Sequence, residues 1–383
     1  MTEPGGTMNR LKSIISIIAS VVLFLAVSVI CLFLLHGILL TSDSKPAQVN
    51  TYSVSLMDTF ENHLEGVMAE AYDSAKSVRK HFWIEDNSPA PIPDQSLFGK
   101  SEDPRELQWL LDQASDLLDG QGTLFTTETK IMEKSEINYY LDESILAITW
   151  KQVFDNFVYT ISEVKISDPS QFRRYIADDT YNSNRLYLTT KMSEMNHAVV
   201  ASSADYYRNR KFGTVVYNQQ VLQVVDPYIQ DVCHVDSKGD LIFTHRGELQ
   251  NFKETQKFVE NNDIVFSISF GPVLVEDGVR CEPYYYPIGE INDYYPRAAL
   301  CQYDSLHYLV IAATAEGKYQ RYQSIHDLAK NIESFGCKQA YTLDGGQTAN
   351  IVMNHELINN INYSYVKPLS DILYFATAVP NKE

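Results

Sequence analysis

The sequence predicts an α+β fold, a mixed and largely antiparallel β-sheet domain with a few packed helices, preceded by an N-terminal transmembrane helix and a small helical spacer. Three observations predict it. From about Tyr139 onward the chain is built of short β-rich runs separated by turn signals, one well-capped helix interrupts them, and a long uncharged apolar run stands near the N-terminus.

The apolar run extends from Ser13 to Leu40 without Asp, Glu, Lys or Arg. At 1.5 Å per residue it exceeds the roughly 30 Å of bilayer hydrocarbon. A cleaved signal peptide has an apolar core of only about 7–15 residues, so the run is expected to be an uncleaved signal anchor in the lipid bilayer. Arg10 and Lys12 precede it directly, and the positive-inside bias puts residues 1–12 in the cytoplasm and the rest of the chain outside. The expectation is a single-pass protein of a bacterial cell membrane.

Residues 41–138 are expected to form a helical spacer and linker. Phe60, Leu64, Val67, Met68, Ala71, Ala75 and Val78 recur at helical spacing. Asp86 to Gln95 carries three prolines and is expected to be extended. Asp103-Pro104 then opens a second helix with Leu107, Leu110, Leu111, Ala114, Leu117 and Leu118 on one face, closing at Gly120.

Residues 139–383 are expected to form the main domain. Ile264, Phe266 and Ile268 alternate with Val265 and Ser267 as in a strand, and Asp277-Gly278 is a hairpin turn. Asn218-Gln219-Gln220 and Asp236-Ser237-Lys238-Gly239 give two more turns. Ser324 with Asp327 makes a capping-box start for a helix whose buried stripe is Ile325, Leu328, Ala329, Ile332 and Phe335, with Gly336 ending it. Gln339 to Leu343 follows as a strand that delivers Asp344-Gly345-Gly346 to its end.

With 45% apolar residues the chain has ample material for a core, and 49 acidic against 31 basic residues argue against a nucleic-acid-binding surface. Cys233, Cys281, Cys301 and Cys337 form no CxxC pair, and the nine histidines show no metal spacing. No metal and no cofactor is indicated.

Three places carry candidate chemistry. The paired glycines after Asp344 let backbone amides approach an anion beside a carboxylate. Ser203-Ala204-Asp205-Tyr206-Tyr207 puts a carboxylate and two aromatic rings, groups suited to a sugar, after the apolar run Ala198 to Ala201. Pro296-Arg297 precedes a strand, and an arginine fork can hold a phosphate.

Taken in order, these blocks resemble the phosphodiester glycosidase family over roughly 139–375. The family's Asn-Gly-Asp-Tyr-Tyr block is matched by Ser203 to Tyr207, its Phe-Gly-Pro and Asp-Gly segment by Phe270-Gly271-Pro272 and Asp277-Gly278, and its Pro-Arg-Thr-Ala block by Pro296 to Ala299. The signature helix, Gly-Cys and Leu-Asp-Gly-Gly-Gly-Ser-Ser are matched by Ser324 to Phe335, Gly336-Cys337 and Leu343 to Ala349, and the terminal block by Ser370-Asp371-Ile372. Ser203-Ala204 stand where the family has Asn-Gly, Gln347 and Ala349 where it has Gly and Ser, Glu316 and Lys318 where Asp-Gly-Arg is usual, and Lys367 in place of a common arginine.

The resemblance implies a membrane-anchored extracytoplasmic hydrolase that cleaves a sugar, an N-acetylhexosamine by expectation, from a sugar 1-phosphodiester in an envelope glycan. It implies Asp344 and Asp205 as catalytic carboxylates, with Arg297, Gly345, Gly346, Thr348, Tyr206, Tyr207 and Asp371 on the sugar and phosphate. The substituted motif positions keep a second reading open: a silent domain of the same fold that binds phosphate-linked glycans or scaffolds an envelope assembly.

Overall fold

The computed structural model describes residues 82–86, 88–205, 207–210, 212–282, 292–361 and 363–380. The expected anchor at Ser13–Leu40 and the amphipathic helix over Phe60–Val78 lie outside the described residues, and among the described residues no helix is long and apolar enough to cross a membrane.

The chain begins its regular structure with β1 (Phe98–Ser101), a 3-10 turn at Pro104–Leu107, and the short helices α1 (Gln108–Gln113) and α2 (Ser115–Leu118). Asp103 caps the turn by accepting a hydrogen bond from the Arg105 amide, and the expected single helix breaks at Ala114. A meander follows, β2 (Ile137–Leu141), β3 (Ile145–Phe154) and β4 (Phe157–Ile166), then β5 (Phe172–Ile176), α3 (Thr189–Met195) and β6 (Val200–Ser203). The expected turns close the hairpins β7–β8 (Gly213–Tyr217, Gln220–Val225) and β9–β10 (Val232–Asp236, Leu241–Thr244). Next come α4 (Phe252–Asn261), β11 (Ile264–Ile268), the hairpin β12–β13 (Val273–Glu276, Val279–Arg280) and the long pair β14–β15 (Arg297–Asp304, His307–Thr314). The capped helix is α5 (Ile325–Ser334), with Ser324 and Asp327 forming the capping box. It is followed by β16 (Gln339–Leu343), β17 (Ile351–Met353), β18 (Glu356–Leu357) and β19 (Asp371–Phe375).

Among the described residues these strands form a nine-stranded sheet in the order β1-β2-β3-β4-β15-β14-β16-β12-β13, a five-stranded sheet β18-β17-β6-β19-β5, a three-stranded sheet β10-β9-β11 and the β7–β8 ribbon. The largest sheet is the middle layer. On one face Trp150, Tyr159, Ile161, Leu309 and Ile311 pack against Leu110, Leu118, Leu328 and Ile332 of the helices. On the other, Ala147, Val164, Val310 and Leu343 pack against Val200, Leu373, Phe266 and Cys233 of the smaller sheets. All ten residues of β4 are buried, its polar Thr160, Ser162, Glu163 and Lys165 included.

The spacer expected over 41–138 does not stop at 138 as a separate body. β1 pairs with β2, and Leu107, Leu110 and Phe125 belong to the helix-side core. The joint is polar as well: the Leu124 and Phe125 amides each donate to the Glu163 carboxylate at 2.7 Å, and His307 Nε2 lies 2.9 Å from it. Once the sheet has a second face, apolar helices at 104–118 gain more by covering it than by standing free.

Candidate active site

Three strand ends converge to form the site. β6 runs between β17 and β19, with Ile372 opposite Ser203, so Asp205 and Asp371 emerge side by side; the Asp205 amide donates to Asp371 Oδ2 at 3.3 Å. The end of β16 is stitched to the end of β6, since the Asp344 amide donates to the Ala204 carbonyl at 3.0 Å and Ser203 Oγ to the Asp344 carbonyl at 2.7 Å. The serine at the family's asparagine position is thus part of the seam between the two sheets.

Two arginines that the sequence reading did not single out neutralise the cluster. Arg174, from β5, donates through Nε and Nη2 to Asp371 Oδ2 at 2.9 and 2.7 Å and lies 3.6 Å from Asp205 Oδ2. It also bonds the Ser267 carbonyl, tying β5 to β11. Arg210 forks onto Asp205 at 2.6 and 3.2 Å, and the Ser269 amide donates to the same carboxylate at 3.0 Å. All four charged side chains are buried. Excellent geometry of this kind is what a buried ion-pair network requires.

Burial pushes the Asp371 carboxyl up to about 6, with Asp205 adding to the rise and Arg174 opposing it. Burial pushes Asp344 higher, to about 7; the Thr348 hydroxyl and Lys367 pull the other way, and Asp371 and Asp205 add to the rise. Asp344 is 7% exposed, whereas Asp371 and Asp205 are 0% and 1% exposed. It is therefore the least enclosed residue of the three, though still buried.

The glycine turn serves packing rather than an open anion nest. Gly346 adopts φ +64° and its amide donates to the Pro296 carbonyl at 2.8 Å; the Thr348 amide bonds Gly345 O at 3.3 Å, and its hydroxyl bonds the same oxygen at 2.6 Å. A Cβ on Gly345 would stand 2.7 Å from the Pro296 carbonyl oxygen. The amides of Gly346 and Thr348, expected on a phosphate, are spent on the fold.

Arg297 is placed beside the turn but braces a loop: its Nε donates to Gln323 O at 3.3 Å and its Nη2 to Asp293 O at 2.7 Å. Tyr206 lies outside the described residues. Tyr207, expected to face a sugar, is 2% exposed, stacked on Tyr181 with Arg174 5.6 Å over its ring. A cation that must be buried takes the nearest aromatic face.

Among the described residues no three His, Cys, Asp or Glu side chains are grouped for a metal ion. A cavity of about 1000 Å³ is lined by Trp83, Tyr175, Tyr217 and Phe266 and reaches Arg174, but none of the three aspartates lines it.

Residues 196–376, which hold the three aspartates and Arg210, match the model of the phosphodiester glycosidase family. This stretch is a phosphodiester glycosidase domain. The phosphodiester glycosidase family is one of hydrolases, and Arg174, the strands β1–β5 and the helices α1 and α2 lie outside the stretch that matches it. No curated protein matches the chain. Among solved structures, the zebrafish N-acetylglucosamine-1-phosphodiester alpha-N-acetylglucosaminidase catalytic domain, auto-inhibited by its pro-peptide, is similar at 15% identity and a TM-score of 0.48, over 77% of this chain and 99% of that domain. A hypothetical protein from Synechocystis is similar at 11% identity and a TM-score of 0.45, over 66% of this chain and 65% of that one.

Proposed function

We propose that the protein hydrolyses the bond between a sugar's anomeric carbon and a phosphodiester oxygen in an envelope glycan, the sugar being an N-acetylhexosamine. The observation that carries this reading is the buried Asp344 carboxyl, raised to about 7 beside an arginine-neutralised aspartate pair. A phosphodiester is already a good leaving group, so cleavage asks for little acid help and much stabilisation of an oxocarbenium-like transition state. In this reading Asp344 is the proton-exchanging group, and Asp371 and Asp205, held by Arg174 and Arg210, fix the strand ends that position it. Lys367, whose charge acts on Asp344, is the cation offered to the phosphate, in place of Arg297.

The apolar run Ser13–Leu40, with Arg10 and Lys12 before it, supports anchoring in a membrane with the domain outside. Protease added to intact cells would then degrade the domain and spare a reporter fused to the N-terminus.

Sugar release from N-acetylglucosamine 1-phosphodiesters and phosphate-linked envelope polymer tests the activity, with Asp344→Asn as control. Release that disappears in the control supports the reading. Binding without release would favour the silent binder, to which Ser203 in the family's asparagine position and the internally bonded amides of Gly346 and Thr348 point.

A further inference from the structure

The turn at 317–322 (Gly-Lys-Tyr-Gln-Arg-Tyr) carries two cations, two aromatic rings and no acid, in a chain of formal charge −18. Lys318 and Arg321 are exposed. Lys318 Nζ lies 5.3 Å over the Tyr319 ring and the Arg321 guanidinium 5.5 Å over Phe157. Neither is ion-paired among the described residues; the neighbouring Glu316 is taken by Lys151 at 2.9 Å. Unpaired cations laid on apolar faces keep their hydrogen-bond donors for a ligand.

Contacts on two sides tie this turn to Asp344. On one, Gln323 bridges Tyr295 and accepts from Arg297, and the adjacent Pro296 accepts from Gly346. On the other, Tyr322 stacks on Tyr363 at 6.5 Å and 14°, and the Lys367 amide donates to Gln347 at 3.2 Å. Tyr363 and Tyr365 are 40% and 59% exposed. The loops that frame the Asp344 turn therefore present aromatic faces, and the unpaired cations lie further along the same segment, Arg321 over Phe157 of β4 and Lys318 beside Val153 of β3.

We propose that Tyr322, Tyr363 and Tyr365, followed by Arg321 and Lys318, form a track for the further, phosphate-bearing units of a repeating sugar-phosphodiester chain, making the substrate a polymer. Tyrosine faces suit pyranose rings, and the two cations suit the phosphate that links the following unit. This rests on the glycosidase reading of the Asp344 site.

The test compares the full chain with a Lys318→Ala, Arg321→Ala double variant and with Tyr363→Ala. kcat/KM is measured on poly(N-acetylglucosamine 1-phosphate) and on the single-unit diester nitrophenyl N-acetylglucosaminyl phosphate. Binding of labelled polymer to the Asp344→Asn chain is followed by fluorescence anisotropy at low and high salt. At about threefold per exposed cation, the double variant raises the polymer KM and Kd about tenfold, weakens the salt dependence, and leaves the single-unit diester unchanged. Tyr363→Ala weakens the polymer without altering the salt dependence. Equal losses on both substrates, or an unchanged polymer KM and Kd, overturn the proposal. If the wild-type chain cleaves neither substrate, the glycosidase reading fails, and the anisotropy arm still decides the track.

Discussion

An Asp344→Asn protein has no charge to bury at the end of β16, and its stability relative to wild type follows from that. The Asp344 carboxyl sits at about 7 in the folded chain against an ordinary 3.8. Below 3.8 both folded and unfolded chains hold the proton and the folded state gains the full benefit of a neutral buried acid. As pH rises towards 7 the unfolded chain gives up its proton first, so wild type loses about 1.4 kcal/mol per pH unit. The loss levels off above pH 7 at roughly 4 kcal/mol. Asparagine carries none of this dependence and its Oδ1 still accepts a hydrogen bond. The variant is therefore expected to match wild type in acid and to exceed it by about 4 kcal/mol in mildly alkaline buffer, or about 10 °C in Tm at about 2–3 °C per kcal/mol. Urea and thermal unfolding, followed through the three tryptophans across that pH range, measure the gap. A gap that does not widen with pH, or a variant less stable than wild type above neutrality, would refute the argument that burial of the Asp344 charge is costly.

Arg210→Met removes the cation 2.6 Å from buried Asp205 and is expected to cost about 3–5 kcal/mol in chemical denaturation; adding Asp205→Asn should restore most of it. Gly345→Ala drives a methyl against the Pro296 carbonyl, lowering stability by about 1–3 kcal/mol and abolishing turnover, read by thermal unfolding beside the sugar-release assay. Lys367→Met takes away a charge that holds Asp344 down, so the alkaline limb of the kcat/KM–pH profile should move upward. Ser269→Ala deletes an Oγ that donates to Thr214 O at 2.6 Å and accepts from its amide at 3.0 Å, a loss of about 1–3 kcal/mol with faster hydrogen exchange at Thr214.

Local signals in the chain carried most of the fold and little of the electrostatics. The capping box at Ser324 and the turns at Asn218, Asp236 and Asp277 depend on neighbouring residues alone, and they stand where their sequence puts them. The attachment of residues 98–125 to the large sheet depends on Glu163 and His307, far along the chain, and no local pattern announces it. Asp205, Asp344 and Asp371 were legible as an ordered set of motifs. Arg174 and Arg210 were not, because the partners that justify them are brought together only by the fold. Arg174 left one trace: in Phe172-Arg173-Arg174-Tyr175-Ile176 it occupies the inward phase of an alternating strand, where a cation demands a buried partner.

The central sheet pairs β4, complete at Ile166, with β15, which begins at His307. A chain emerging from the ribosome finishes the β1–β4 meander about 140 residues before the strand that closes it exists, a wait of roughly 7–30 s at typical rates of synthesis. Throughout that interval the edge of Phe157–Ile166 that β15 will cover has no neighbour of its own, and any foreign strand can dock there. Expression yield should therefore respond to translation speed between β4 and β15 more than to codon choice anywhere else in the chain.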